Sequence, residues 1–435
     1  MPPERHATGP SGPQFVRPLV DFLHTEAAGG VALVVAAVVA LVWANSPWEA
    51  AYADLWHTQL AVSFAGHELD LDLRDWVNDG LMTLFFFVVG LEIKRELVEG
   101  ELREPRKAAL PAIAAVGGMV VPALIFLALN VGRPGVDGWG IPMATDIAMA
   151  VGVLSLLGSR VAPSLKLFVL ALAIVDDIGA IIVIAVFYSD SIDLAALGLS
   201  FGLVAAVAAL RWGGVRSFLP YVAAGAALWL AVHESGIHAT LVGVVLGLMA
   251  PTRPVRQPEL VDADALADVS SYEAARETVV LARDSVSVVE WLEHRLHPWT
   301  SFVVVPLFAL ANAGVPISAA KVADSFTTSL GAGIVVGLVA GKLVGITAFT
   351  WLATRLRLGV LPEGAGWPGV VSVSAVAGIG FTVSVFVAGL AFDGAPDLQD
   401  RAKVAILVAS VLAGVLGAGL VAATQGRRQR ASARN

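Results

Sequence analysis

Long apolar runs recur along this chain, and they constrain its fold more than any other feature. Most of the runs hold roughly 17–25 residues with few charges, the length that a helix needs to cross the ~30 Å hydrocarbon core of a bilayer. Hydrophobic residues make up 57% of the 435 residues and charged residues 15%, against about 25% charged in a typical soluble protein. The pattern therefore predicts an all-α, polytopic membrane protein.

We predict about twelve membrane-spanning helices in a single transmembrane domain, 27–424. The first span is expected to be retained rather than cleaved as a signal peptide, because it has full span length and follows a long polar segment. The eighth span is shorter than a helix needs to cross the core unaided. The predicted spans are 27–44, 77–93, 108–130, 139–158, 165–188, 194–210, 216–232, 237–250, 299–316, 331–353, 369–392 and 401–423.

The distribution of basic residues indicates the orientation of these spans. With both termini on the cytoplasmic side, 22 of the 28 Lys and Arg residues fall in inside segments and five in outside segments. The remaining one, Lys342, lies within a span. Cytoplasmic loops of membrane proteins carry such an excess of basic residues. We therefore expect an even number of crossings with both ends in the cytoplasm.

Four segments outside the spans carry further predictions. The external segment 60–73 alternates apolar and polar residues around a central Ala-Gly pair, which predicts a small β-hairpin. The long charged loop 251–298 is cytoplasmic, and we expect it to be partly helical. Residues 1–26 form a cytoplasmic N-terminal segment, and residues 425–435 form a basic cytoplasmic tail suited to anionic lipid headgroups.

Ionisable residues inside the predicted spans are the candidate functional groups, because each costs several kcal/mol at bilayer depth. For a single Asp–Lys pair, the alternative is a buried ion pair that only holds helices together. The chain has no cysteine, which excludes disulfides, thiolate chemistry and cysteine-based metal sites. The candidates are Asp79, Asp146, Asp176, Asp177 and Lys342.

The fifth span contains two adjacent carboxylates, Asp176 and Asp177, in the stretch "IVDDIG". Neighbours on a helix point about 100° apart, so Lys342 can face only one of them well. The other carboxylate needs a cation, a proton or water. Because carboxylate oxygens hold hard cations and also take up protons, the pair predicts a site that accepts either Na⁺ or H⁺.

Two predicted spans contain helix-breaking residues in their middle. The fourth span has "GIPMATDIAMAVG" (140–152), and the eleventh has "AVAGIGFTVSVF" (375–386). Glycine and proline at this depth are consistent with an unwound crossing point, and tight packing through small residues is the alternative. The candidate residues of the crossing are Pro142, Thr145, Asp146, Gly378, Gly380 and Thr382.

The two interrupted spans sit at equivalent places in the predicted order. Each is the middle member of a group of three, spans 3–5 and spans 10–12, and the two groups start on opposite sides of the membrane. This is the inverted-repeat layout of secondary transporters. In such a layout Asp146 can stabilise half-helix N-termini, and Lys342 can stabilise the C-terminal ends.

The motifs in these spans resemble those of the NhaA family of bacterial Na⁺/H⁺ antiporters. They occur in family order and cover nearly all of the membrane part. The motifs are "NDGLMTLFFFVVGLEIKREL" (78–97), "ATDIAMAVGVLSLLG" (144–158), "ALAIVDDIGAIIVIAVFY" (171–188), "SGIHATLVGVVLG" (235–247), "LEHRLHPW" (292–299), "PLFALANAGV" (306–315), "GKLVG" (341–345) and "GIGFTVSVF" (378–386).

The resemblance implies roles for the residues of the predicted site. Asp177 resembles the essential carboxylate that binds the cation and carries protons, and Asp176 resembles its partner, able to pair with Lys342. Thr145 and Asp146 resemble the residues at the crossing of the broken helices.

The resemblance also implies an ion path, a pH response and a dimer. Asp79 resembles a carboxylate of the outward path, and His238 resembles a histidine implicated in the pH response. The hairpin at 60–73 resembles the family's dimer contact. The inside ends of spans 2 and 9 carry residues that resemble a cluster linked to pH activation: Glu92, Arg95, Glu96, Glu293, His294 and His297.

The expected function is electrogenic, alternating-access exchange of cytoplasmic Na⁺ or Li⁺ for external H⁺, serving Na⁺ extrusion and pH homeostasis. The expected setting is a homodimer in the bacterial inner membrane, with no enzymatic activity, no cofactor and no nucleic-acid partner.

From the residues alone, two other functional classes stay open. An intramembrane aspartyl protease would need Asp146 as the partner of a dyad, because adjacent aspartates on one helix cannot face each other. A cation-coupled symporter would need a larger polar pocket.

Overall fold

The computed structural model describes residues 16–64, 67–189, 192–215, 217–252 and 286–432. Helical segments occupy every region that we predict to span the membrane. By length and apolarity, seven of the described helices can cross a bilayer, or eight if one bent pair of helices counts as a single span. The chain is therefore a multi-pass helical membrane protein, whereas the count of twelve crossings stays a prediction.

The helices are labelled α1–α15 in chain order. They are α1 (Val16–Ala44), α2 (Glu49–Trp56), α3 (Met82–Val98), α4 (Pro105–Asn130), α5 (Ile147–Leu156), α6 (Pro163–Phe187), α7 (Leu194–Trp212), α8 (Phe218–Glu234), α9 (Leu241–Met249), α10 (Val288–Trp299, continued by Val305–Asn312), α11 (Ala319–Thr327), α12 (Ser329–Val336, continued by Lys342–Arg355), α13 (Trp367–Val376), α14 (Phe381–Ala391) and α15 (Pro396–Ser432).

Several helices contain turns wound differently from an α-helix. A π turn, Trp76–Leu81, leads into α3, and two others join the halves of α10 and α12, at Thr300–Val304 and Gly337–Gly341. Such widened turns are frequent at functional sites. A 3₁₀ segment, Val136–Met143, precedes α5.

The external segment forms the predicted β-hairpin. Strand β1 (Gln59–Phe64) pairs antiparallel with β2 (His67–Asp72), with Leu60 opposite Leu71. The Ala-Gly pair at 65–66 lies outside the described residues. Asp72 ends the hairpin by accepting a hydrogen bond from the Asp75 N–H at 2.8 Å, so the hairpin runs straight into the start of the second predicted span.

The other predicted segments are described only in part. Residues 253–285, most of the cytoplasmic loop, lie outside the described residues, and the described end of that loop already belongs to α10. α1 begins eleven residues before the predicted span 27–44, and residues 1–15 lie outside the description. α15 continues to Ser432, so the predicted tail begins inside a helix.

Two helical segments are broken near their centres, as the sequence predicts. The first break lies at residues 144–146, between the 3₁₀ segment and α5, and the second lies at 377–380, between α13 and α14. α13 and α14 meet at an angle of 47°. Pro142 itself lies within the 3₁₀ segment rather than in the break, which begins two residues later. Both breaks leave backbone groups without partners from their own helix.

Glycines bring α4 and α12 into backbone contact beside these breaks. A Cβ atom on Gly345 would lie 2.8 Å from the carbonyl carbon of Gly117, a separation that real Cβ atoms do not adopt. One turn earlier, the hydrocarbon stem of Lys342 passes Gly118, whose Cβ position lies 3.7 Å from Lys342 Cδ. Small residues at such an interface let two helices approach closely in a membrane. This approach positions Lys342 for the site described below.

We predict that Gly345→Ala lowers the thermal midpoint of the detergent-solubilised protein, because the added methyl group collides with the backbone of α4. Overpacking of this kind costs about 1–3 kcal/mol. The measurement is the fraction of monodisperse protein left after heating. The matched control is Gly419→Ala in α15, where a Cβ meets nothing within 4 Å. Equal midpoints for the two variants would contradict the account of this interface.

Candidate ion-binding site

Asp146 joins the two broken helices. Its Oδ1 accepts a hydrogen bond from the Met149 N–H at 2.9 Å and so caps α5. Its Oδ2 accepts from the Thr382 N–H at 2.9 Å and from the Thr382 hydroxyl at 2.7 Å, in the first turn of α14. Its own backbone N–H donates to the Ile379 carbonyl at 2.7 Å. One carboxylate therefore binds the N-termini of both half-helices, where free N–H groups and partial positive charge converge.

Lys342 lies beside the same crossing and binds Asp176. Its Nζ is 2.5 Å from Asp176 Oδ2 and 2.8 Å from Thr145 Oγ1, and its side chain is 0% exposed. The Thr145 hydroxyl can donate its single proton to Asp176 Oδ2 at 2.7 Å or to the Ala377 carbonyl at 3.0 Å. Thr145 and Ala377 belong to the two different breaks. The ion pair is therefore attached to the crossing through Thr145.

The two adjacent aspartates have different surroundings. Asp176 is 1% exposed, and while its Oδ2 is in the ion pair, its Oδ1 has no hydrogen bond among the described residues. Asp177 is 6% exposed and lines a cavity of about 50 Å³ together with Asp146 and Thr382. Lys342 therefore forms an ion pair with Asp176, whereas the carboxylate of Asp177 faces the cavity.

The cavity extends from Asp177 towards the ends of α3 and α10 that are predicted to face the cytoplasm. Its lining includes Glu92 of α3 and His297 of α10, and also Thr300 and Ser301, which follow His297 by about one turn along α10. Its remaining wall is mainly apolar, contributed by Phe85, Val88, Val89, Ile147, Ala148, Val305 and Val383. The lining of the cavity therefore includes both the Asp177 carboxylate and residues of the predicted cytoplasmic end of the bundle.

Charged residues of α3 and α10 form a second cluster at this cytoplasmic end. Arg95 donates from Nη1 to Glu293 Oε1, and its Nη2 lies 3.8 Å from Glu96 Oε1. His297 Nε2 lies 3.9 Å from Glu92 Oε1. Five of the residues predicted for pH activation are thus brought together on two neighbouring helices.

Glu293 is the most deeply placed carboxylate of this cluster, and it precedes the predicted span 299–316. It is 5% exposed, and its Oε2 has no hydrogen bond among the described residues. Burial raises the pKa of the Glu293 carboxyl, and the neighbouring charge of Arg95 opposes that rise. The charge state of Glu293 is consequently sensitive to its partner.

Three predicted residues lie apart from both clusters. His294 is exposed on the outer face of α10. His238 places Nε2 2.5 Å from the Tyr188 carbonyl oxygen, near the end of α6 that follows the paired aspartates. The backbone carbonyl of Asp79 accepts hydrogen bonds from the Thr83 hydroxyl at 2.5 Å and from Trp229 Nε1 at 3.3 Å. No direct contact joins these three to the paired aspartates in the described structure.

The glycines of the second break lie against backbone atoms of other segments. A Cβ on Gly378 would be 2.5 Å from the Leu338 carbonyl oxygen, and one on Gly380 would be 3.0 Å from the Ala144 carbonyl oxygen. Neither position has room for a side chain. These glycines therefore allow the two breaks and the π turn of α12 to approach one another.

Sequence reasoning missed several hydroxyl residues at the site. The Ser384 hydroxyl donates to the Ile141 carbonyl at 2.8 Å and forms another link between the broken helices. Thr300 and Ser301 line the cavity from the π turn of α10. A signal was available, because each is a hydroxyl residue inside an apolar run, in "TVSVF" and "PWTSF".

Comparison with known proteins places the chain among ion antiporters. A family model described as Na⁺/H⁺ antiporter 1 matches residues 20–421. The Na⁺/H⁺ antiporter NhaA of Rhodopirellula baltica is 48% identical over 420 residues, which cover 94% of each chain. Na⁺/H⁺ antiporter NhaA 2 of Sorangium cellulosum is 48% identical over 414 residues, 92% of this chain and 88% of the relative. NhaA of Oleidesulfovibrio alaskensis is 45% identical over 421 residues, 93% of each chain.

We predict that Asp146→Ala destabilises the protein, because it leaves the part-buried N–H of Met149 and the buried N–H of Thr382 without their acceptor. Each such group costs about 1–3 kcal/mol. The comparison is Asp193→Ala, which removes an exposed N-cap that also accepts from two N–H groups, at a cost of about 1 kcal/mol. Thermal midpoints in detergent measure both. A smaller loss for Asp146→Ala than for Asp193→Ala would contradict the role given to Asp146.

Proposed function

We propose that this chain, which belongs to the Na⁺/H⁺ antiporter 1 family and exchanges Na⁺ for H⁺, carries out the exchange at Asp176 and Asp177. The observation that carries the proposal is that these neighbouring carboxylates have different surroundings. Asp176 is bound by Lys342, whereas Asp177 faces the cavity. Only the second carboxylate is open to an ion arriving from the cytoplasmic end.

One site couples the two ions because they compete for the same oxygens. A Na⁺ that binds Asp177 displaces a proton from it, and a proton that returns displaces the Na⁺. Among the described residues, no group of three or more His, Asp or Glu side chains is placed to hold a metal ion. Bound Na⁺ would therefore complete its oxygen ligands from neighbours such as Thr145 and from water, which suits an ion that must also leave.

We propose alternating access in which the crossing of the broken helices moves with the aspartates. The cavity beside Asp177 is also lined by Glu92 and His297, which belong to the predicted cytoplasmic ends of α3 and α10, and this supports assigning the described conformation to the cytoplasm-facing state. After closure on this side, the site would open outwards along a path that includes Asp79, releasing Na⁺ or Li⁺ and taking up protons. If more protons than cations cross, each net charge couples to about 2.3 kcal/mol per 100 mV of membrane potential.

The remaining parts of the proposal concern the cellular setting. We place the protein in the bacterial inner membrane with twelve crossings and both termini in the cytoplasm, on the strength of the basic-residue bias. The β1–β2 hairpin, which pairs as predicted, is the proposed contact of a homodimer. The physiological role would be Na⁺ extrusion and pH homeostasis at alkaline pH, with no cofactor and no nucleic-acid partner.

The geometry favours transport over the proteolysis that the residues alone left open. An aspartyl protease dyad needs two carboxyl groups that share a proton and activate water. Here Asp146 accepts hydrogen bonds from Met149 and Thr382, and Asp176 is bound to Lys342. Neither Asp146 nor Asp176 is therefore free to form a dyad with Asp177. We accordingly propose that the protein is not an enzyme, and the small cavity also argues against a symporter of larger solutes.

The test is Na⁺-driven discharge of a respiration-generated pH gradient in everted membrane vesicles, followed with a fluorescent dye. We expect NaCl and LiCl to discharge the gradient with the wild-type protein and not with Asp177→Asn, which cannot exchange a proton for a cation. Asp193→Asn, at an exposed helix cap, is the control and should behave as wild type. KCl measures selectivity.

An Asp177→Asn protein that is well expressed and discharges the gradient as wild type does would exclude Asp177 as the exchanging group. A silent wild type, at every pH and with every cation, would contradict the proposed function itself.

We also predict that Arg95→Gln moves the onset of transport to more alkaline pH. Loss of the Arg95 charge leaves burial unopposed, so the pKa of Glu293 rises further, and any step that needs the Glu293 carboxylate ionised requires a higher pH. The control is Lys107→Gln, which breaks an exposed pair with Glu104 (3.1 Å) and should leave the profile unchanged. The pH dependence of gradient discharge measures the shift. An acidic shift for Arg95→Gln would contradict this sign.

A further inference from the structure

Two hydroxyl residues line the cavity but take no part in the ion exchange proposed for the paired aspartates or in the pH response proposed for the cytoplasmic cluster. Thr300 and Ser301 are 4% and 7% exposed, and both line the cavity. They follow His297 by three and four residues on α10. At a rise of about 1.5 Å per residue, they lie ~4.5–6 Å deeper in the bundle than His297. Their hydroxyl groups thus stand between the cytoplasmic cluster and Asp177.

The π turn of α10 explains why two successive residues line the same cavity. Thr300–Val304 is wound more widely than an α-helix, and such turns are frequent at functional sites. α1 packs against this turn at Ser301. A Cβ on Gly29 would lie 2.9 Å from Ser301 Cβ, so α1 passes as closely as glycine allows. The position of Ser301 is therefore set by packing.

The chemistry of the cavity suits a cation that has lost part of its water. Three carboxyl groups, those of Glu92, Asp146 and Asp177, line the cavity together with His297, and carboxylates in a narrow cleft concentrate cations. Thr300 donates its hydroxyl proton to the His297 carbonyl at 2.9 Å, and a hydroxyl that donates keeps its lone pairs for a cation. Neutral oxygens hold an ion strongly enough to replace water and weakly enough to release it.

We propose that Thr300 and Ser301 form a transient binding site for a partly hydrated alkali cation, on the cytoplasmic side of Asp177. The site rests on the proposed function, because it assumes that this cavity is the path of the transported ion. It lowers the cytoplasmic Na⁺ concentration needed for half-maximal transport. It takes no part in proton exchange, since hydroxyl groups do not titrate in the working range.

The test compares the double variant Thr300→Val/Ser301→Ala with wild type in everted vesicles, where the cytoplasmic face is accessible. Loss of the hydroxyl oxygens should raise the cytoplasmic KM for Na⁺ about fivefold, the effect of losing roughly one hydrogen-bond equivalent of binding. The rate at saturating Na⁺ should stay close to wild type, because Asp177 is untouched. In right-side-out vesicles, where Na⁺ approaches from outside, KM should not change.

Two further variants separate hydroxyl chemistry from packing. Thr350→Val removes a buried hydroxyl that also donates to a backbone carbonyl, that of Ile346, but does not line the cavity, and it should leave KM unchanged. Thr300→Ser keeps the oxygen while losing a methyl group, and it should retain the wild-type KM. If the double variant fails to accumulate in the membrane, Thr300→Val and Ser301→Ala alone carry the same comparison.

An unchanged cytoplasmic KM in the valine and alanine variants overturns the proposal. So does an equal rise in Thr300→Ser and Thr300→Val, because the effect would then come from packing. Failure of the proposed function is distinguishable from both, since it would appear as the absence of Na⁺-driven discharge in the wild type.

Discussion

Two helix breaks inside an apolar bundle release backbone groups that must find partners there, and the rest of the site depends on how they do so. No water is available in hydrocarbon to satisfy such groups, and each one left alone costs several kcal/mol. In this chain the partners are side chains of the breaks themselves. Asp146 accepts from both half-helix N-termini, and Thr145 is within hydrogen-bond distance of the Ala377 carbonyl. The breaks are therefore stable only in contact with each other.

The same contacts explain why two adjacent aspartates behave differently. Thr145 and Lys342 both bind Oδ2 of Asp176, so this carboxylate is part of the structure that holds the crossing together. Asp177 lies one residue further along α6, turned by about 100°, and reaches the cavity instead. The carboxylate that we propose as the ion-exchanging group thus lies directly beside a group that fixes its position. Movement of the crossing would carry both aspartates together, which is what alternating access requires.

Part of this arrangement could be predicted from the sequence, because charges and helix breakers stand out against apolar runs. Asp176, Asp177 and Lys342 are conspicuous for that reason, and so are Pro142 and the glycines of "GIG". The pairing of β1 with β2 follows from the alternation of apolar and polar residues on either side of the Ala-Gly pair. What the sequence could not supply are the partners across long separations. Asp146 and Thr382 are 236 residues apart, and although the sequence assigns both to the crossing, it does not reveal that one hydrogen-bonds to the other.

Other features escaped prediction for related physical reasons. Hydroxyl residues are common within apolar helices, where they bond to their own backbone, so Thr300, Ser301 and Ser384 did not stand out. The π turns of α10 and α12 have no local sequence signal that we recognised. His294 and His297 are three residues apart in one motif, yet His294 is exposed and His297 is buried. Their difference follows from which face of α10 packs against α3, and the motif alone does not reveal that face.

The central claim is that Na⁺ and protons compete for Asp177, and proton release on Na⁺ binding tests it most directly. The measurement uses purified protein in weakly buffered detergent solution with a pH-indicator dye, at a pH where transport is active. The account predicts that adding NaCl acidifies the solution in proportion to the protein, and that Asp177→Asn abolishes this release. Na⁺ binding without proton release in the wild type would contradict it, as would undiminished release in Asp177→Asn.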